Sequence, residues 1–329
     1  MPQIFSNADD DWLDDVQGQP RPASSTRKPL AGRARVLDPA EGNATVAELF
    51  PNQSAVRFDG AQAPVLCGYK MSTLAFRGPT RERSPVCVGD RVRVELGVII
   101  GRCERKNRLI RPAPNARDPL LHVIAANIDF LVIVASAREP EFSPGIVDRF
   151  LVAASAQKIS PLLCVNKIDL LEAGAARPWS IYPAAGVKVV EASARRGEGA
   201  AEVSALLRGK AAAFCGHSGV GKTSLLRKML GDESFGRVGG VSLAGGKGRH
   251  TTTGAVLLPA AGGSTWIDTP GIMNFGLVDV KREDLLSHFP ELAAAAAGCA
   301  AECLHDERPG CALSLLPRFA SFRRMLASI

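Results

Sequence analysis

No part of this 329-residue chain is apolar over the roughly 20 consecutive residues that a membrane-spanning helix needs, which excludes such a span. No segment recurs at a fixed period of roughly 20–50 residues, which excludes a solenoid or a propeller. The N-terminus lacks the basic and apolar run of a secretory leader and carries Asp9, Asp10, Asp11, Asp14 and Asp15 instead. The eight cysteines are therefore expected as reduced thiols in a cytoplasmic protein. Aromatic residues make up only 5 %, so platforms for base stacking are few. Charge of neither sign dominates: 40 Lys and Arg stand against 33 Asp and Glu, a net +7. That balance admits a nucleic-acid or ribosomal partner without demanding one.

What is present begins with phosphate chemistry. Gly216-His217-Ser218-Gly219-Val220-Gly221-Lys222-Thr223 fits the Gly-x-x-x-x-Gly-Lys-Thr phosphate-loop pattern in full. Glycines let such a loop wrap an anion and aim its N–H groups inward. Lys222 is placed to reach the outer phosphates, and the Thr223 hydroxyl to ligate Mg²⁺. The flanks agree: Ala211–Cys215 reads as a buried strand, Ser224–Leu230 as a helix and Gly231 as its stop. A phosphate at that helix N-terminus gains from unpaired N–H groups and from the helix dipole. A Gly-rich turn without a ligand is the bland alternative, and the strand and helix around it weigh against it.

The base is chosen elsewhere. Asn166-Lys167-Ile168-Asp169 follows the apolar run 161–165, at a strand's carboxyl end, where open α/β sheets bind ligands. The Asp169 carboxylate can accept from the guanine N1–H and 2-amino group, an arrangement adenine lacks. Asn166 is expected on the other base edge, and the Lys167 stem on the ring. Ser193-Ala194, after the strand-like run Val187–Val190, reads as the loop whose backbone N–H meets the guanine O6. Further on, 264–268 reads as a strand ending in Asp268-Thr-Pro-Gly271. Asp268 is expected in the Mg²⁺ shell, and the Gly271 N–H at the γ-phosphate. Between loop and strand, 246–253 is rich in Gly and Thr, as suits a segment ordered by Mg²⁺ and γ-phosphate. Within it Thr252 is the expected Mg²⁺ ligand, with β-propensity as the plainer account of the Thr run.

Five cysteines lie scattered in apolar runs and read as small buried hydrophobes. The others form Cys299-x-x-x-Cys303-x-His305-x-x-x-x-x-Cys311, the donor set of a closed structural zinc site. Before the phosphate loop, short β-rich runs at 32–37, 54–58, 64–66, 91–96 and 97–103 read as a small barrel. Arg77, Arg81, Arg83, Arg102, Arg105, Lys106, Arg108 and Arg111, with Tyr69 and Phe76, give that barrel the composition of an RNA platform. Residues 128–135 read as a continuous apolar strand, Ser143-Pro144 as the start of a helix reaching about Gln157, and 115–120 as a linker. Near the C-terminus 315–326 reads as a helix packed on one face and offering Arg318, Arg323 and Arg324 to phosphate on the other.

In this order, Asn166–Asp169, Ser193-Ala194, the phosphate loop, 248–253 and Asp268–Gly271 resemble the circularly permuted GTPase family RsgA, also called YjeQ. The likeness spans roughly residues 30–329 and takes in Val88–Val92, Arg105–Pro112, Asp148–Leu151 and Phe275–Leu277. It implies a multidomain chain: a disordered tail at 1–30, an all-β OB-type barrel at 31–114, an α/β permuted P-loop GTPase domain at 115–279 and a helical zinc module at 280–329. It implies GTP/GDP, Mg²⁺ and one structural Zn²⁺. It further implies a monomeric GTP hydrolase of late small-ribosomal-subunit assembly that binds rRNA and is activated by the particle. Alternatives are a nucleotide-gated rRNA-binding factor using hydrolysis as a slow timer, and a permuted GTPase of the large subunit. The barrel and the cysteine cluster argue against the latter. Three positions depart from common patterns. Ile272 stands where many GTPases carry a water-orienting Gln, so His250 is expected to position the attacking water, beside Lys222 and Thr252 as the groups of the chemistry. His217 replaces a usual Gln and is expected near the phosphates. The first two cysteines have three intervening residues where relatives have four. Because Asp268–Gly271 leads straight into the zinc module, that order implies a mechanical link from γ-phosphate to module.

Overall fold

The computed structural model describes residues 36–69, 81–82, 84–112, 120–236, 254–269, 277, 280–300, 302–305 and 310–329. The chain opens with β1 (Val36–Leu37), β2 (Ala44–Phe50), β3 (Gln53–Phe58), β4 (Val65–Tyr69), β5 (Arg81–Glu82), β6 (Arg91–Glu95) and β7 (Val98–Cys103). β2 pairs with β3, β3 with β4, β4 with β7 in parallel, β7 with β6, and β6 returns to β2. That closed ring is the barrel, and closure removes its free edges. Alternate inward residues fill it: Ala44, Val46, Val56, Cys67, Val92, Val94 and Ile99. β2 escaped the sequence reading because a bulge between Val46 and Glu48 breaks its alternation.

Among the described residues, Arg102 and Arg105 of the expected basic face are spent inside the barrel. Arg102 donates to Glu82 at 3.0 Å and to the Pro85 carbonyl at 2.9 Å. Arg105 pairs bidentately with Asp90 at 2.6 and 2.8 Å and reaches Glu82 at 3.0 Å. Both side chains are nearly enclosed, at 9 % and 7 % exposure. Arg108 also meets Glu82, Lys106 meets Asp129, and Arg111 donates to His122 at 2.8 Å. Tyr69 packs against the barrel core. Arg77, Arg83 and Phe76 lie outside the described residues.

β8 (Arg108–Pro112) and β9 (Leu120–Ala126) pair antiparallel across the expected linker, and β5 adds to β9. Then come β10 (Phe130–Ser136), α1 (Pro144–Ala156), β11 (Ser160–Asn166), β12 (Lys188–Glu191), α2 (Ala200–Leu206), β13 (Ala211–Cys215), α3 (Lys222–Leu230), β14 (Val256–Ala260) and β15 (Ser264–Asp268). Strands β15, β13, β10, β11 and β12 lie side by side in parallel, with β14 antiparallel on β15. β10 is buried along almost its whole length, as a central parallel strand covered on both faces must be. Pro144 opens α1, since its missing N–H is an orphan there anyway; Ser143 makes no side-chain cap.

The two sheets join at one register pair, Val256 with Glu48. Glu48 is buried, its Oε2 has no hydrogen-bond partner, and burial pushes its carboxyl above the usual range. An acid with a raised folded-state pKa contributes stability that is full below its unfolded value and is lost as pH rises through the folded one. Glu48→Gln is therefore expected to raise the melting temperature at pH 7, with the gain shrinking as pH falls toward 4.5. A gain independent of pH would show that it does not arise from ionisation of the carboxyl.

The C-terminal module comprises α4 (Pro290–Ala296) and α5 (Phe319–Ser328) around Leu285, Phe289, Leu292, Leu313, Phe322 and Met325, and it takes in Val152 of α1. α5 begins later than the spacing predicts, because Pro317 cannot donate within a helix. Arg318 does not face solvent as expected: its side chain is 3 % exposed and salt-bridged to Asp148 and Glu291.

Candidate functional site

Three loops meet at the carboxyl edge of the parallel sheet. β13 ends at Cys215 and turns through the phosphate loop into α3. Gly216 runs so close to β10 that a Cβ there would sit 2.2 Å from the Val134 carbonyl oxygen. Gly221 takes φ +87°, open to glycine at no steric cost, and a Cβ there would sit 2.3 Å from Asn166 Nδ2. These positions hold glycine because backbone must pass against backbone and against the asparagine. In the first turn of α3, Lys222 is buried and Thr223 half-buried.

Asn166, only 1 % exposed, ties the loops together. Its Nδ2 donates to the Val220 carbonyl at 2.9 Å, and its Oδ1 accepts from the Ala194 N–H at 2.9 Å. One amide thus fixes the phosphate loop and the Ser-Ala loop to the end of β11, where the sequence reading had it facing the base. Asp169 is oriented by Ser193, whose hydroxyl donates to its Oδ1 at 2.6 Å and accepts from the Arg196 N–H at 3.1 Å. The sequence reading expected only backbone from Ser193-Ala194. Lys167 takes a left-handed φ of 63° and donates its ammonium to the Glu139 carbonyl. Ile168 anchors the turn through its N–H to the Ala192 carbonyl at 3.2 Å.

A cleft of 380 Å³ opens beside Asn166, Lys167, Asp169, Ala194, Gly221 and Ser224, and Arg195 and Glu233 also line it. Its size suits a nucleobase and sugar, and its acceptor is a carboxylate held in one rotamer. Toward α3 the polarity inverts. The Lys222 ammonium is paired with Asp268 and donates to the Thr269 carbonyl at 2.7 Å. Thr269, fully buried, donates its hydroxyl back to the Phe214 carbonyl. The phosphate-loop lysine and the acid at the end of β15 are therefore within one hydrogen bond of each other. Gly236 returns against the Thr223 methyl. His217 Nδ1 lies 2.9 Å from the Ser218 carbonyl, so that nitrogen carries the proton and the ring stays at the loop's outer side. His250, Thr252, Gly271 and Ile272 lie outside the described residues.

The loop between β10 and α1 was missed. Ser136 donates to the Pro140 carbonyl at 2.6 Å, Glu139 gives its carbonyl to Lys167, and Pro140 lies alongside Gly219. It carries no recognisable motif. The one available signal was its place after a central parallel strand, on the ligand-binding edge.

Away from this edge, the ligand atoms of Cys299, Cys303, His305 and Cys311 all lie within 4.8 Å of one another. Zinc bonds of about 2.3 Å to sulfur and 2.0 Å to nitrogen put donors about 3.5–3.8 Å apart, so a slight contraction makes a closed tetrahedron. Cys299 joins the group despite the shortened spacing, and its sulfur accepts the Ala312 N–H at 3.3 Å. A backbone donor to sulfur steadies a thiolate, and the residues fit a zinc ion.

The family model described as RsgA GTPase matches residues 102–278. The small ribosomal subunit biogenesis GTPase RsgA of Azotobacter vinelandii is 41 % identical over 246 residues, covering 71 % of this chain and 70 % of that one. The protein of that name from Ectopseudomonas mendocina is 34 % identical over 347 positions, covering 98 % and 97 %. Among solved structures, YjeQ from Thermotoga maritima superposes with a TM-score of 0.65 at 26 % identity, over 87 % of this chain and 98 % of that one. YloQ, a circularly permuted GTPase, gives 0.60 at 23 % identity, over 88 % and 94 %, a likeness of fold.

Proposed function

Because the chain belongs to the RsgA GTPase family and is thus a GTP-hydrolysing enzyme, we propose that it works as a late assembly factor of the small ribosomal subunit. In this reading it binds the subunit's rRNA as a monomer, and the particle stimulates its hydrolysis. The observation that carries the nucleotide assignment is the Asn166 amide, which holds the base-reading, Ser-Ala and phosphate loops on one edge. Asp169 reads the guanine. The Lys222 ammonium reaches the outer phosphates in place of Asp268, and Thr223, Thr252 and Asp268 would hold the magnesium. Magnesium, when bound there, would offset the charge of the phosphates. The Gly271 N–H meets the γ-phosphate. Cys299, Cys303, His305 and Cys311 hold a structural zinc.

Ile272 cannot orient water, so His250 is assigned that task. His250→Ala is expected to lower turnover by about 10²-fold with nucleotide affinity kept, the usual range for losing a positioned proton-handling group. Unchanged turnover would remove His250 from the mechanism. Of the cations read as an RNA face, Lys106 keeps 62 % exposure. The RNA-binding part of the proposal rests on it and on Arg324, not on Arg102, Arg105 or Arg318. Co-sedimentation with purified small and large subunits tests the partner. Retention on the small subunit with a GTP analogue, and release with GDP, is the expected result. Binding to the large subunit alone would overturn it.

A further inference from the structure

The chain order passes from the γ-phosphate sensor into the zinc module, yet the packing ties that module to another part of the site. Arg318 donates Nε to Asp148 at 2.7 Å and Nη1 to Glu291 at 2.9 Å. Its guanidinium lies over Phe289 at 4.6 Å and over Tyr182 at 5.6 Å. Asp148 is fully buried in the second turn of α1. Tyr182 donates its hydroxyl to the Pro144 carbonyl at 3.4 Å, at the start of the same helix. α1 leaves directly from the loop at 137–143. That loop is pinned by Ser136, takes the Lys167 ammonium on its Glu139 carbonyl and rests Pro140 beside Gly219. The path from module to nucleotide edge is therefore continuous: Arg318, Asp148, α1, then the loop that braces both Lys167 and the phosphate loop.

We infer that Arg318 is a positioning residue of the nucleotide site: by clamping α1 it sets the loop at 137–142 against Lys167 and the phosphate loop. The zinc module is then part of what makes the guanine site tight. The inference rests on the assignment of that edge to guanine nucleotides. Arg318 itself lies in the module and touches no nucleotide group.

The test is the dissociation constant of a fluorescent GDP on the full chain. Arg318→Met leaves Asp148 buried and unpaired, which threatens folding, so Arg318→Met with Asp148→Asn is the informative variant. Its affinity is expected to fall about tenfold, with zinc content unchanged, as for residues in one coupled network. Arg318→Lys keeps a charge beside Asp148 and is expected to restore most of the loss. In a Ser136→Ala background, where the loop is already loosened, the double substitution should add less than about twofold. A purely structural Arg318 would loosen the module and leave GDP affinity within about twofold of wild type, and that result overturns the inference. So does full additivity with Ser136→Ala. Failure of the wild-type chain to bind GDP would instead overturn the nucleotide assignment.

Discussion

Asp169→Asn is expected to weaken GDP and GTP binding by roughly a hundred- to a thousandfold, the effect of losing two charge-assisted hydrogen bonds at about 1.5–2 kcal/mol each. The direction follows from the site's own wiring. Ser193 donates to Asp169 Oδ1 at 2.6 Å, and an asparagine oxygen accepts that bond equally well. The introduced amide nitrogen then occupies the other position, where it meets the guanine N–H groups donor to donor. The same inversion makes a partner for xanthine, which carries a carbonyl in place of the 2-amino group. Calorimetry with GDP and XDP checks both halves: GDP affinity should collapse while XDP affinity rises. Retention of GDP binding within about tenfold would mean that Asp169 does not read the base.

Removing zinc is expected to release the C-terminal module as a unit. Apparent zinc affinities of small Cys/His modules amount to about 10–16 kcal/mol at neutral pH, comparable to the whole stability of a domain. Here the metal side chains and the hydrophobic core are one body, since Cys311, Cys299 and Cys303 pack with Phe289, Leu292 and Leu313. Metal analysis should find one zinc per chain. Chelation should raise hydrogen exchange across 280–329 and spare β13 at 211–215, whose Ala212 and Phe214 belong to a different core. A chain without zinc, or protection unchanged by chelation, would make the cluster a reduced thiol group. Cys311→Ser should reproduce the chelated state without a chelator.

The parts of this molecule that were legible in sequence are those with local physical signatures. A phosphate loop needs its glycines, its lysine and its flanking strand and helix in one short stretch, and all appear where the spacing puts them. Asn166–Asp169 and the cysteine cluster are likewise local. What was not legible depends on partners distant in sequence. Arg102 and Arg105 look like an RNA face until Glu82 and Asp90 are folded beside them, and Arg318 looks like a phosphate ligand until Asp148 is brought to it. Composition counts a buried, paired arginine and an exposed one alike. The bracing loop at 137–142 was missed for a further reason: its hydrogen bonds run through backbone carbonyls, which leave no mark on residue type.

The junction between barrel and nucleotide domain carries one more consequence. Among the described residues one rung, Val256 with Glu48, joins their main sheets, and Ala47 and Val88 of the barrel share a hydrophobic core with Ile128, Leu131, Leu257 and Ile267. That core lies mostly in the nucleotide domain, and the barrel supplies one wall of it. Excising the nucleotide domain at the start of β10 would strip one wall from it and leave those side chains facing water, an invitation to self-association. The barrel is thus no detachable accessory on a self-sufficient enzyme. The smallest fragment that keeps this core closed begins with the barrel, and melting should register barrel and nucleotide domain as a single cooperative step.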